Sequence, residues 1–312
     1  MTYFSIVLEQ IIIFIIYAAV GIIAVKAKVL NKDGLGVMSK FITKIALPLL
    51  IFTNTINGVT REQFMGALPI MLATVLMYLL LYLLAYLLAR FFKLRGNEKN
   101  VYRACSIFGN NGFMGIPIVA ALFPEHGLLY IALFTVVDQM FLWTVGVTLT
   151  APGEQQKGMS FAGKLKKMIN PATVGIVLAV IGIFLNIKLP APLNTALTKT
   201  GSISTPLAMI YLGGIFCYTD IVKYFKKAEI YGTVILKMCL FPILFFYLLK
   251  LIPGITQDIA VTMSVLSALP TMTSVAMLAQ IQKSADEYSA GMIFVTTLFS
   301  IVTLPMVCFF IG

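Results

Sequence analysis

Three groups of residues in this chain could do chemistry, and all three lie in apolar surroundings. The first is Gly109 to Pro117, GNNGFMGIP, which sets Asn110, Asn111, Gly112, Met114 and Pro117 within a stretch apolar enough to cross a bilayer. The second, LSALPTMTSV, carries Pro270, Thr271, Thr273 and Ser274 in a stretch of the same kind. The third is a set of polar side chains inside apolar runs: Asp138 with Gln139 beside it, and Lys237. Glycines, asparagines and prolines at mid-span leave backbone N–H and C=O groups without helical partners. Hydrocarbon cannot satisfy them, so a broken membrane helix survives only where protein or a water-filled cavity covers the break. The first two groups therefore read as walls of a binding site rather than as plain spans.

The chemistry they suit is binding of an anion. Each broken helix presents the start of a half-helix, whose free N–H groups act as roughly half a positive charge. Asn110 and Asn111 add side-chain donors on one side; Thr271, Thr273 and Ser274 add hydroxyls on the other. Neither stretch has an ionisable residue between Ser106 and Phe123 or between Ile259 and Ile281. A carboxylate can thus be held by dipoles and amides without a full counter-charge. Asn54, close after Pro48, is a candidate for the outer approach to such a site or for a cap on a broken helix. A charge at mid-bilayer costs roughly 2.5–3.5 kcal/mol on insertion scales, so Asp138 and Lys237 are expected to face the protein interior. Asp138 and Gln139 are read as a proton or substrate relay, or Asp138 and Lys237 as a buried ion pair between two helices. Lys237 snorkelling to the inner surface is the remaining alternative.

Bond-making chemistry finds no support. Serine–histidine and H-E-x-x-H arrangements are absent, His126 is the single histidine, and Asp138 has no second mid-span carboxylate. The four cysteines (Cys105, Cys217, Cys239 and Cys308) form no C-x-x-C and read as buried, inert thiols, so neither a metal nor a cofactor is expected. The chain is read as no enzyme. Its net charge of +11 does not point to nucleic acid, because the basic residues cluster between apolar runs.

These side chains must be positioned by membrane helices. Of the 312 residues, 60% are hydrophobic and 11% charged, with a mean hydropathy of +0.97, against about 45–50% apolar in soluble domains. Ten apolar runs are near the roughly 20 residues a span needs: 8–25, 41–56, 67–88, 104–123, 128–149, 169–187, 202–217, 230–251, 259–279 and 289–311. The loops after the odd-numbered spans hold eighteen lysines and arginines; the opposite side holds four, Arg61, Lys188, Lys199 and Lys250. Basic loops mark the cytoplasmic side, so both termini are expected outside a cell membrane. The organisation expected is a first five-helix repeat, 1–149, a cytoplasmic linker, 150–168, and a second repeat, 169–312. Within the linker, GMSFAGKLKKMI fits either a short amphipathic helix on the inner surface or a solvated connection.

Five spans per half is odd, so a duplicated second half must insert upside down. Pro48 and Pro206 fall in spans two and seven, 158 residues apart, and Pro117 and Pro270 in spans four and nine, 153 apart. Matching interruptions point to an inverted repeat with the site near the midplane, where the broken helices four and nine cross.

The segment from Asn110 to Pro117, an asparagine followed by MGIP, resembles the auxin efflux carrier family, which includes plant auxin exporters and bacterial malate or malonate permeases. Ala268–Pro270 (ALP) and Ala46–Phe52 (ALPLLIF) agree with it, as do the span count, outward termini and central cytoplasmic loop across the whole chain. The resemblance implies an all-α, ten-helix inverted-repeat fold like that of the sodium–bile acid symporters. Spans one, two, six and seven would form a scaffold, and the rest would move. It implies that Asn110 contacts a substrate carboxylate and that Pro117 and Pro270 mark the crossover. One departure stands out: span nine has no acidic residue, so sodium coupling is not expected. The reading is a secondary carrier of small organic anions working by alternating access, surrounded by membrane lipid and compatible with a homodimer. A carrier of neutral or zwitterionic metabolites, and a membrane sensor that transports nothing, are the alternatives.

Overall fold

A computed structural model describes residues 2–152 and 170–311. Their regular structure is helical, and the one bridge between extended segments joins Gly109 to Thr271. In chain order the helices are α1 (Tyr3–Lys26), α2 (Lys32–Gly58), α3 (Leu68–Phe91), α4 (Gly96–Ile107), α5 (Asn111–Leu122) and α6 (Gly127–Thr150). After the central linker come α7 (Pro171–Phe184), α8 (Ala191–Ser202), α9 (Ser204–Phe216), α10 (Ala228–Lys250), α11 (Gln257–Ala268), α12 (Thr273–Ile281) and α13 (Asp286–Ile311). Single helical turns at Arg61–Met65 and Ile221–Phe225 lie between the longer elements. The chain is therefore an all-helical, multi-pass membrane protein, with six helices long and apolar enough to cross a bilayer and shorter apolar ones beside them.

Prolines explain three of the four places where the helices widen among the described residues; the fourth, Leu142–Gly146 in α6, has no proline directly after it. Pro48, Pro117 and Pro242 each follow a π-helical segment, Ile42–Ala46, Asn111–Gly115 and Thr233–Leu240 respectively. Proline has no N–H for the carbonyl four residues back and its ring crowds that carbonyl, so the preceding turn opens to a longer hydrogen-bonded ring. Several helices also begin before their apolar run does. Asn31 caps α2 by accepting the Gly34 N–H at 2.8 Å, so helix starts nine residues ahead of the expected span and takes in Lys32, Lys40 and Lys44. The opposite difference appears at α7, whose 14 residues rise only about 21 Å at 1.5 Å each. It stops at Phe184 because Asn186 takes a left-handed conformation. The amphipathic GMSFAGKLKKMI segment lies outside the described residues.

Two groups of helices pack around the site. In one, α1 lies along α9, and α2 along α7 and α8. Glycine permits this approach: a Cβ on Gly21 would overlap the Ile210 carbonyl, and one on Gly213 would overlap Ala18 backbone. Without a hydrophobic drive between helices in lipid, such backbone contact supplies the packing. In the other group α3 packs on α4 and α6, α10 packs on α11, and α13 on α10, α11 and α12. Cys105 and Cys308 are buried, whereas Cys217 is exposed, because the apolar run that contains it ends there in a turn.

Candidate functional site

The site is built where two helices stop at the same depth. α4 ends at Ile107, and Phe108 is extended before α5 begins at Asn111. α11 ends at Ala268, and Leu269 and Met272 are extended before α12 begins at Thr273. Prolines and glycine forbid a continuous ladder here, so each break takes its hydrogen bonds from the other. The Asn110 N–H donates to the Pro270 carbonyl at 2.8 Å and the Met272 N–H to the Phe108 carbonyl at 2.9 Å. The Thr271 hydroxyl donates to the Cys105 carbonyl at 3.0 Å, and its N–H to the Thr296 hydroxyl at 3.2 Å. Gly109 lets the two chains meet: a Cβ there would sit 3.1 Å from the Leu266 carbonyl oxygen.

At the start of α5 the protein supplies an anion of its own. Asn111 Nδ2 donates to Asp138 Oδ1 at 3.1 Å, the Tyr78 hydroxyl donates to the same oxygen, and Gln139 Nε2 donates to Asp138 Oδ2 at 2.9 Å. Every contact points a hydrogen at the carboxylate. Gln139 is fixed in turn by Trp143 Nε1, which donates to its Oε1 at 3.0 Å. Tyr78 stacks on Phe141 with ring centroids 4.8 Å apart. Asp138, Asn111 and Tyr78 are all buried.

Neither half-helix start has a side-chain cap, and the two differ in what lies in front of them. The neighbour of α12 is Asn110, whose Nδ2 reaches Thr273 Oγ1 at 3.4 Å; its Oδ1, like that of Asn111, is buried without a partner. Thr273, Ala276 and Gln280, three and four residues apart along one face of α12, line a cavity of about 350 Å³. Tyr211, Tyr218 and Thr219 form the wall contributed by α9 and the turn after it, and α13 provides Ala290 and Ile293. Lys32 stands at the cavity together with Asp286 and Glu287, all three exposed.

The structure does not bring Lys237 to Asp138. Lys237 is buried in the π-helical turn of α10 and its Nζ donates to the Leu269 carbonyl. Among the described residues neither it nor Asp138 belongs to an ion pair. The two sit against different breaks, Asp138 against the start of α5 and Lys237 against the end of α11.

Of the other expected residues, Pro270 and Thr271 belong to the crossing itself, and Ser274 follows Thr273, nearly buried. Gly112 is half-buried against Leu47, and Pro117 lies two residues past the widened turn of α5. Met114 lines a separate apolar cavity between α1, α9 and α13. Asn54 is half-buried on α2 with its Nδ2 unpartnered, and it is not among the residues lining the 350 Å³ cavity. Tyr78 and the Leu269 carbonyl are the partners that sequence reasoning missed. A signal for the first exists: Thr74, Tyr78, Tyr82 and Tyr86 form a four-residue stripe along α3, and Arg103 lies 4.9 Å over the ring of Tyr82.

Comparison with known proteins agrees with the architecture. Residues 6–308 match the family described as membrane transport protein. An uncharacterized transporter of Methanocaldococcus jannaschii is 26% identical over 308 residues, covering 96% of this chain and 97% of that protein. A protein of Rhizobium meliloti named "Putative malonate transporter" is 24% identical over 280 residues, covering 87% and 85%.

Proposed function

Starting from a chain that belongs to the auxin efflux carrier family of membrane transport proteins, we propose a secondary carrier of small organic anions, with the substrate carboxylate at the start of α12. One observation carries this reading. Two half-helix starts meet at the crossing; the first already has the Asp138 carboxylate, and the second has none and borders a cavity. A half-helix start favours negative charge by roughly 0.3–1 kcal/mol at exposed sites and up to about 2 kcal/mol when partly buried. The visiting anion completes the charge pattern that Asp138 completes on the other side. Thr273 and Asn110 are the polar side chains within reach of it.

In this reading α4 with α5, α8 with α9, and α11 with α12 each make one interrupted span, giving ten in two inverted repeats. Helix pairing supports that arrangement: α1 lies on α9 and α7 on α2, the exchange that a two-fold axis in the membrane plane produces. Left-handed residues end α1 at Lys28 and α7 at Asn186, 158 residues apart, the same offset as Pro48 and Pro206. α1, α2, α7, α8 and α9 act as scaffold, and the remaining helices rock against them. The cavity lies between the two groups on the lysine- and arginine-rich side, so the conformation is open to the cytoplasm and both termini are outside. The relative named for malonate is consistent with a dicarboxylate substrate.

A second reading has one observation in its favour. Asp286 and Glu287 at the mouth would attract the ammonium of a zwitterion. Counterflow in liposomes separates the two. Labelled malonate should accumulate transiently against trans malonate, saturate, and be competed by other small carboxylates but not by neutral amino acids. Competition by amino acids with no effect of carboxylates overturns the anion reading.

A further inference from the structure

Lys237 has no part in the anion site, yet it is among the largest fully buried side chains. Its surroundings say what it does. Its Nζ donates to the carbonyl of Leu269, the C-cap residue just past the end of α11. The ion pairs among the described residues are made by Lys227 with Glu98 and Glu229 and by His126 with Glu125, so no carboxylate balances Lys237.

The balance comes from the helix end. The last carbonyls of a helix lack intrahelical donors and together act as roughly half a negative charge. Here that deficit is sharpened, because Pro270 has no N–H to give the Leu266 carbonyl, which receives only the Leu269 N–H at 3.4 Å. Gly109 packs against the same carbonyl, and all of Val265 to Thr271 is buried, so water does not cover the end. In carriers with broken helices, unwound carbonyls and half-helix C-terminal ends are where coupling cations bind.

We propose that Lys237 is a tethered cation, held at the C-terminal end of α11 where a free monovalent cation would otherwise have to bind. The inference rests on the carrier reading for its consequence, which is transport that needs no sodium. α11 and α12 add no carboxylate between Ile259 and Ile281 that could complete a sodium site beside it. The π-helical turn that precedes Pro242 places the lysine, since the extra residue per turn occurs at Thr233–Leu240 and includes it.

The test reads thermal unfolding of the purified full chain in sodium, methylammonium or choline chloride. Wild-type protein should unfold at one temperature in all three salts. Lys237→Met, which keeps the bulk without the charge, should unfold several degrees lower in each. Lys237→Ala opens the space, and it should recover at least half of its loss in sodium or methylammonium and none in choline. The proposal is overturned if Lys237→Met matches the wild type, or if Lys237→Ala ignores both small cations. Should the Ala and Met variants fail to accumulate, Lys237→Arg and Lys237→Gln are compared instead. Accumulation of the Arg form alone supports a required charge, and any other pattern overturns it. No substrate enters these readings, so they stand or fall apart from the anion assignment. In liposomes, wild-type counterflow should be unchanged when sodium is replaced by choline.

Discussion

The starts of α5 and α12 are chemically alike: each follows an extended break, each is buried at the same crossing, and each has an asparagine beside it. They differ in what sits in front of them. Asp138 reaches α5 through Asn111, with Tyr78 and Gln139 closing round it, while α12 faces a cavity. In a low-dielectric interior an isolated partial charge is costly, so a resident anion at one end and an empty place at the other is an imbalance the molecule can use. On the proposed reading, a ligand that supplies negative charge would bind at α12 without an arginine or lysine at the helix start to hold it. Such a site releases its ligand more easily than a full ion pair would, which suits a carrier.

The largest effect should come from removing the resident anion. Asp138→Ala leaves three buried donors, on Tyr78, Asn111 and Gln139, without their acceptor. Each buried donor left unsatisfied costs about 1–3 kcal/mol, so this variant should lose most of its folded yield or unfold far below the wild type. Asp138→Asn keeps one oxygen for Tyr78 and Asn111 but sets its new NH2 against the Gln139 amide, whose orientation Trp143 holds, so the loss should be nearer 1–2 kcal/mol, about one or two hydrogen bonds. If Asp138 is a fixed counter-charge, Asp138→Asn transports with an unaltered pH profile. A profile that flattens in this variant would make the carboxylate a proton carrier and end the contrast between resident and visiting anion.

At the other half-helix the change should be smaller and should fall on binding. Thr273→Val preserves shape and removes the hydroxyl that meets Asn110 Nδ2 at 3.4 Å. Loss of one hydrogen bond to a charged group costs about 1.5 kcal/mol, a rise of roughly tenfold in KM for the carboxylate. The unfolding temperature should barely move. A fall in kcat at constant KM would place the hydroxyl in the movement of α12 instead of at the ligand.

Much of this was legible in the chain alone, and the reason is the solvent. Lipid tolerates no unpaired backbone, so glycines, asparagines and prolines at mid-span locate the breaks near Asn110 and Pro270 without any structure. It tolerates no free charge either, so Asp138 and Lys237 had to point inward. What they point at was not legible. Tyr78 lies sixty residues from Asp138, and the four-residue stripe it belongs to on α3 marks a polar face without saying which of its members meets Asp138. A buried ion pair of Asp138 with Lys237 is one reading of two charges inside spans, but position along a span does not say which break each helix lies against. The partner of Lys237 is a backbone carbonyl, Leu269, and backbone atoms leave no mark in composition. Helix ends escaped for another reason: caps such as Asn31 set them, and those lie outside the hydrocarbon where hydropathy is silent.

The smallest expected effect lies at the mouth of the cavity, where the contrast between the two half-helices meets solvent. Asp286 opens the first turn of α13 and lines the cavity across from Lys32, and both are exposed. On the proposed reading, an anion bound for α12 would pass this carboxylate, whose repulsion would act on arrival more than on the bound state. Asp286→Asn should therefore lower KM for the carboxylate by about two- to threefold at low ionic strength, through faster entry. Because charges at an open mouth are screened over about 10 Å in 0.1 M salt, the advantage should vanish as salt rises, whereas the tenfold effect of Thr273→Val, made at a buried contact, should persist. Lys32→Gln should shift KM upward by a similar factor with the same salt dependence. If Asp286→Asn raised KM instead, the mouth would be drawing in positive charge, and the ligand at α12 would have to carry an ammonium as well as a carboxylate.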